Sequence, residues 1–349
     1  MILHIAKLDK FIPPFIKFTN DNFPPEDHEF YLYGDESRYK VNHAHNVIFN
    51  RKGGILGTLY YLRLIPKLIR SRKIVIHGLF DGWLVMLLAL MPFVLNKCYW
   101  VVWGGDLYKY QTPKLTLKAK TKELIRAFVI KRLGHLVTYI PGDVELARKW
   151  YGAKGLYHEC LMYLSNIVET SLSNDSGSTM KNKSTVNILV GNSADPTNNH
   201  VEVFDKLSSF KDKNIQIFAP LSYGNPDYAR AVIDYGSTIF SEKFTALTDF
   251  MQIEDYRRFL ASIDIAVFNH SRQQGMGNTI TLLGMGKKVY LRKGASHSEF
   301  FLKMGLKVED VEHIDLLRLP ESVAEHNSSC VSRYFNKNNL IEQLKQIFR

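Results

Sequence analysis

"IDIAVFNHSRQQGMGNTITLLGMGKKVYLRK", Ile263 to Lys293, is the stretch on which the fold turns. Its opening run is apolar and short, as a strand buried on both faces must be. The run breaks into Arg272-Gln273-Gln274 and the spaced glycines Gly275 and Gly277. It then passes into a helix-like stretch and closes on a second apolar run, KKVYLRK. Strand, helix and strand within about thirty residues predict two parallel strands joined by a crossover helix.

The same alternation runs through the chain. MILHIAK, EFYLYG, KIVIHG and CYWVVWG are strand-like, with helix-like segments such as GWLVMLLALMPFVL between them. Further on, VNILVGNS, NIQIFAP and STIFSE are again strand-like, and EDYRRFLASI is helix-like. Between the two series lies SNIVETSLSNDSGSTMKNKST, Ser165 to Thr185, rich in Ser, Asn and Thr, which predicts a linker. The organisation expected is an α/β domain over 1–165, a linker over 166–186 and a second α/β domain over 187–335. A C-terminal helix over 336–349 would pack back on the first domain.

Composition narrows the function classes. With 46% hydrophobic and 23% charged residues in 349, the chain is a core-forming protein. Cys98, Cys160 and Cys330 are odd in number and widely spaced, which argues against a disulfide framework or a zinc site. The N-terminal stretch lacks the apolar core of a secretory signal. The longest apolar run, Trp83 to Leu95, includes Pro92 and falls short of the roughly 20 residues that span a bilayer, so a buried helix is expected there, with shallow insertion into a membrane face as the alternative.

The net charge of +11 is unevenly placed: residues 1–170 hold 24 Lys and Arg against 14 Asp and Glu, the remainder 21 against 20. The basic residues gather in Leu62–Lys73 and Lys109–Arg132, the second segment carrying Glu123 as its one acid. Apolar residues interleave with these charges at helix-like spacing. That pattern suits a helix on an anionic membrane or a polyanionic partner, and equally a merely solvated basic face. No nucleic-acid-binding motif accompanies it, so nucleic acid is not expected as a partner.

In parallel sheets ligands bind at the carboxyl ends of the strands. The turns to inspect are therefore His77-Gly78, Trp103 to Asp106, Gly191-Asn192-Ser193, Pro220 to Gly224 with Tyr223, and Ser271 to Asn278. Gly191 lets a ligand approach the backbone, and Asn192 and Ser193 add donors beside a helix start, a setting that suits phosphate. Arg272 offers a forked cation for a diphosphate, with Gly275 and Gly277 allowing close approach. The stretch is neither a Walker loop nor a complete G-x-G-x-x-G fingerprint, which disfavours a nicotinamide-dependent oxidoreductase. Asp106 is a candidate base or a helix cap, and His77 competes with it as base.

WVVWGGDLYKY, NILVGNSADPTNNH and SRQQGMGN, in this order and at these separations, resemble the TDP-N-acetylfucosamine:lipid II N-acetylfucosaminyltransferases of enterobacterial common antigen synthesis, glycosyltransferase family 56. The likeness runs from about Ile74 to Leu291. It implies the GT-B architecture, two Rossmann-like domains facing across a cleft, and a peripheral enzyme on the cytoplasmic face of the bacterial inner membrane. The implied reaction moves a 4-amino- or 4-acetamido-4,6-dideoxyhexose from a dTDP-sugar to an undecaprenyl-diphosphate-linked saccharide, with no metal or other cofactor.

The implied donor contacts are Gly191, Asn192, Ser193, Arg272, Gln273, Gln274, Gly275 and Gly277, beside Pro220, Tyr223 and Asn278 on the same turns. Asp106 and His77 are the implied catalytic residues. Trp103, Tyr108, Lys114, Lys118, Lys120, Lys122 and Arg126 are expected to meet the acceptor and the membrane. In many retaining GT-B enzymes two glutamates eight positions apart bracket the glycine loop, and the second binds ribose hydroxyls. Gln274 and Leu282 stand at those positions, and a deoxyribonucleotide, lacking the 2′-hydroxyl, removes one reason for the second glutamate. The alternatives are transfer of another dTDP- or UDP-sugar in surface-glycan assembly, or non-catalytic nucleotide-sugar binding.

Overall fold

The computed structural model describes residues 1–36, 39–41, 44–50, 55–168 and 185–349. It divides into two compact units, Met1–Ser165 with Asn338–Arg349, and Asn166–Lys337. The linker expected over 166–186 falls mostly on 169–184, outside the described residues.

The first unit contains β1 (Ile2–Lys7), α1 (Ile12–Asn22), β2 (His28–Tyr33), β3 (Val47–Asn50), α2 (Ile55–Arg70), β4 (Lys73–His77), α3 (Gly82–Leu90) and β5 (Cys98–Val101). After these come α4 (Gly104–Leu107), α5 (Leu117–Arg132), β6 (His135–Val137), α6 (Pro141–Tyr151) and β7 (Leu156–His158). Among the described residues these strands form one parallel seven-stranded sheet, ordered β3-β2-β1-β4-β5-β6-β7. Helices cover both faces, so Leu3, Ile74, Ile76 and Trp100 are fully buried, as the unbroken apolar runs require. His77, at the carboxyl end of β4, stands opposite Ala6 of β1 and Val101 of β5.

The second unit contains β8 (Val186–Val190), α7 (His200–Leu207), β9 (Ile215–Pro220), α8 (Pro226–Phe240), β10 (Phe244–Leu247), α9 (Ile253–Ser262) and β11 (Ile265–Phe268). It continues with α10 (Met276–Gly284), β12 (Lys288–Leu291), α11 (Ser296–Lys303), β13 (Glu309–Asp310) and α12 (Glu321–Tyr334). A last helix, α13 (Lys337–Phe348), lies almost wholly in the segment counted with the first unit. The second sheet is ordered β10-β9-β8-β11-β12-β13, again parallel. Its strand order reverses between β8 and β11, and the carboxyl end of such a switch point is where open α/β sheets bind ligands.

Two expectations about elements are corrected. STIFSE is not a strand: Ser237 to Phe240 form the last turn of α8, and the strand begins at Phe244. Val232, Gly236 and Phe240 are buried four residues apart, which is the helical period, and it overrides the β-branched composition of the segment. The run from Trp83 is a helix but only half buried. Leu84, Val85 and Leu88 face the core, while Trp83 (65%), Leu90 (76%) and Phe93 (64%) are exposed.

Candidate functional site

Three turns of the second unit converge at the carboxyl ends of β8, β9 and β11. The amide of Gly191 donates to Val267 O at 3.0 Å, seating the first turn against β11. Gly191 has a φ of +68°, and a Cβ there would fall 2.4 Å from His200 Nε2, so only glycine fits. The turn after β9 joins it through a bridge between Ala194 and Gly224, with Ala194 N–H donating to Tyr223 O at 2.8 Å. Pro220 is the buried last residue of β9, beneath this turn.

Side chains then tie the turns together. Asn192 Nδ2 donates to Tyr223 Oη at 3.0 Å, and Gln274 Nε2 to Asn192 Oδ1 at 3.4 Å. Thr197 Oγ1 gives its one hydrogen to Asp195 Oδ1 at 2.5 Å and lies 3.1 Å from Gln274 Oε1, and Arg272 forms an ion pair of 2.7 Å with Asp195. Burial raises the Asp195 carboxyl, but the Thr197 hydroxyl and the Arg272 guanidinium more than reverse this and leave it below the usual carboxylate range.

Gly275 caps α10 at a φ of +65°. A Cβ there would meet His270 Cε1 at 2.8 Å and Asn192 Cγ at 3.2 Å. The first intrahelical bond of α10 is Thr279 N–H to Gly275 O, so the amides of Met276, Gly277 and Asn278 precede the helical ladder. Such amides, with the positive end of the helix dipole, favour an anion. Asn278 turns aside to donate to Tyr256 Oη at 2.8 Å. Gln273 is partly exposed beside Arg272, and Ser193 is buried within reach of Asn198 at 3.4 Å. The turns singled out in the sequence at Gly191, Tyr223 and Gly275 thus lie together, braced by residues outside that set: Asp195, Thr197, Asn198, His200, Tyr256 and His270. The density of Asp and Asn in NSADPTNNH was the available signal, since short polar side chains close turns by bonding to nearby backbone.

The first-unit turns have a different character. Asp106 is fully buried, its Oδ2 accepting from Leu79 N–H at 2.7 Å and Trp100 Nε1 at 2.7 Å, its Oδ1 from Trp103 N–H at 2.9 Å. Burial raises this carboxyl, opposed by the Arg126 guanidinium and the three donors. A carboxylate so surrounded clamps the turns after β4 and β5 rather than facing a substrate. His77 bonds His4 at 3.2 Å and Tyr163 Oη at 2.8 Å, and burial holds its ring down at about 3, hence neutral at physiological pH. Trp103 Nε1 donates to the same Tyr163 hydroxyl at 3.1 Å.

Arg126 is no surface cation. It is buried, donating to Asp106 O at 2.5 Å and to Leu79 O, because α5 turns this position inward to neutralise the clamp. Tyr108 packs edge-on against Trp150 at 5.2 Å, and Lys114 folds back to Lys109 O at 2.7 Å and Tyr110 O at 2.5 Å. Lys118, Lys120 and Lys122 are exposed along α5. The helix packs against α3 and the turn after it. Beside those lysines Leu117 and Leu124 are exposed, adding to Trp83, Leu90 and Phe93. Among the described residues no helix is long and apolar enough to cross a membrane.

Residues 63–307 match the family described as 4-alpha-L-fucosyltransferase, glycosyl transferase group 56. The chain belongs to that family and is a glycosyltransferase. Solved structures agree on the fold. Sucrose-phosphate synthase from Thermosynechococcus elongatus superposes with a TM-score of 0.72 at 10% identity, over 100% of this chain and 98% of its own. HepE from Anabaena, in complex with UDP and glucose, gives 0.67 at 11% identity over 99% and 98%. WaaG, a glycosyltransferase involved in lipopolysaccharide biosynthesis, gives 0.64 at 10% over 100% and 98%. The architecture is GT-B, built from two Rossmann-like units.

Proposed function

We propose that this member of group 56 transfers a 4-amino- or 4-acetamido-4,6-dideoxyhexose of N-acetylfucosamine type from a dTDP-sugar to an undecaprenyl-diphosphate-linked saccharide. It would work without a metal, as a peripheral protein on the cytoplasmic face of the bacterial inner membrane. The observation that carries the donor half is the convergence on one switch point of the Gly191-Asn192 turn, Tyr223, and the Arg272 to Asn278 turn with its helix amides. In this reading the amides of Met276 and Gly277 hold the diphosphate with Arg272, and Gln273 and Gln274 face the sugar.

The acceptor half rests on the exposed apolar residues of α3 and the turn after it, together with the exposed lysines of α5, which packs against α3. Exposed Trp83, Leu90, Phe93 and Leu124 would enter the headgroup layer, while Lys118, Lys120 and Lys122 meet anionic lipid at about 1 kcal/mol per well-placed lysine. Asp106 and His77 have structural roles here, holding the turns after β4 and β5. The test is direct: purified enzyme with a dTDP-4-acetamido-4,6-dideoxyhexose and a lipid-linked saccharide should release dTDP and add one sugar to the acceptor, read by mass spectrometry. Release of dTDP with no change in acceptor mass would sink the acceptor assignment.

A further inference from the structure

We infer that His270 takes up a proton when a nucleotide-sugar diphosphate binds, and that the imidazolium so formed lies beneath the glycine turn as a buried counter-charge to the ligand. The inference rests on the reading of this turn as the diphosphate site.

It comes from the two atoms that bracket the ring. His270 Nε2 lies 3.0 Å from Asn198 Oδ1, and Nδ1 lies 3.1 Å from the main-chain oxygen of Gln274. Both partners can only accept. For Gln274 O this is intrinsic to a carbonyl. For Asn198 it follows from its surroundings: Oδ1 accepts the Asn192 N–H at 2.8 Å and Nδ2 donates to Asp195 O at 2.9 Å. Exchanging the two amide atoms would set donor against donor and acceptor against acceptor. A neutral imidazole carries one N–H and so satisfies one oxygen while turning a lone pair on the other. An imidazolium satisfies both.

His270 is fully buried, and in the ligand-free protein that burial, with the Arg272 guanidinium nearby, disfavours the charge despite the bond to Gln274 O. The ring faces His297 of α11 at 6.2 Å. His297 and His200 of α7 are each held by burial at about 4, and remain neutral. Arg272 is shared with Asp195, which offsets its repulsion of a nearby cation. A Cβ on Gly275 would stand 2.8 Å from His270 Cε1, so the ring lies directly under the residue that opens α10. An anion at those amides supplies the opposite charge that reverses the balance. Protonation on binding means that affinity falls as pH rises, by up to about tenfold per pH unit.

The test is calorimetry of dTDP-glucose binding, whose diphosphate is a diester with no proton titrating near neutrality, in two buffers of different ionisation enthalpy between about pH 5.5 and 8. Wild type should take up close to one proton per ligand over part of that range, and H270Q should bind with none. Binding without uptake by wild type, or unchanged uptake by H270Q, overturns the inference and leaves the diphosphate site standing. No binding of dTDP-glucose by folded wild type overturns the site itself. Should H270Q not fold, the wild-type proton count still decides, and 15N-histidine spectra showing a ring with both nitrogens protonated only in the complex would support it.

Discussion

Arg272, on the turn after β11, and Asp195, on the turn after β8, meet in an ion pair of 2.7 Å. The carboxylate is itself held by the hydroxyl and the amide of Thr197, at 2.5 and 2.9 Å. A cation expected to face a diphosphate is thus already aimed by a carboxylate from the neighbouring turn. With side chains 19% and 34% exposed, the pair adds little to stability, and its role is orientation. Arg272→Ala should weaken dTDP-sugar binding by about ten- to hundredfold, the worth of hydrogen bonds to a charged group. Asp195→Asn should weaken it less, with the unfolding midpoint nearly unchanged in both. Calorimetric affinities equal to wild type for Arg272→Ala would remove Arg272 from the site.

Asp106 is expected to matter to the fold before it matters to chemistry. In Asp106→Asn one carboxylate oxygen becomes an NH2 that must face Leu79 N–H and Trp100 Nε1, or Trp103 N–H, donor against donor. The cost should be about 3 kcal/mol in chemical denaturation, with Arg126 losing its counter-charge. A variant of wild-type stability that had lost turnover would instead restore Asp106 as a base.

Acid should destabilise the protein through its buried histidines. His77 is held by burial at about 3, and His200 and His297 at about 4, against 6.5 in the unfolded chain. Below about 6.5 the unfolded state binds protons that these folded rings refuse. Stability is therefore complete above that pH and is lost as pH falls toward 4, by up to about 1.4 kcal/mol per histidine per pH unit. Unfolding midpoints flat between pH 7 and about pH 5 would contradict this.

Membrane binding should need both the exposed apolar residues of α3 and the turn after it and the exposed lysines of α5. Trp83, Leu90 and Phe93 changed together to Ser should abolish sedimentation with vesicles of anionic lipid. Lys118, Lys120 and Lys122 changed to Glu should reduce it by about tenfold or more per pair of lysines, and salt should mimic that change. Equal binding to neutral and anionic vesicles would separate the lysines from docking.

The legible parts of this molecule were those set by the backbone. Short apolar runs marked β1, β4, β8 and β11, the last three leading into glycine turns, and with them the parallel sheets, because a strand buried on both faces has no room for polar side chains. Shorter strands such as β6, three residues long, and β13, two, left too little pattern to notice. STIFSE misled because local β-propensity is weak beside a helix's four-residue burial period. In the site, Gly191 and Gly275 were readable because positive φ and close packing demand glycine. Asp195, Asn198 and His270 were not, since their roles depend on partners about 70 residues or more away, or on a lone-pair count that only the folded turns define. The outward side of α3 could not be told from its buried side in the sequence, because an apolar helix at a surface has the composition of one in a core.

If the cup formed by Gly191-Asn192, Tyr223 and Arg272 to Asn278 holds the diphosphate of a deoxythymidine nucleotide, as proposed, binding of that nucleotide must raise the unfolding temperature. dTDP at about 100 times its dissociation constant should stabilise the protein by about 2.7 kcal/mol, a rise of several degrees in unfolding midpoint. UDP and GDP at the same concentration should do markedly less, and Arg272→Ala should lose the response to dTDP. An identical response to dTDP, UDP and GDP would contradict the donor assignment, and no response to any of them would contradict the site.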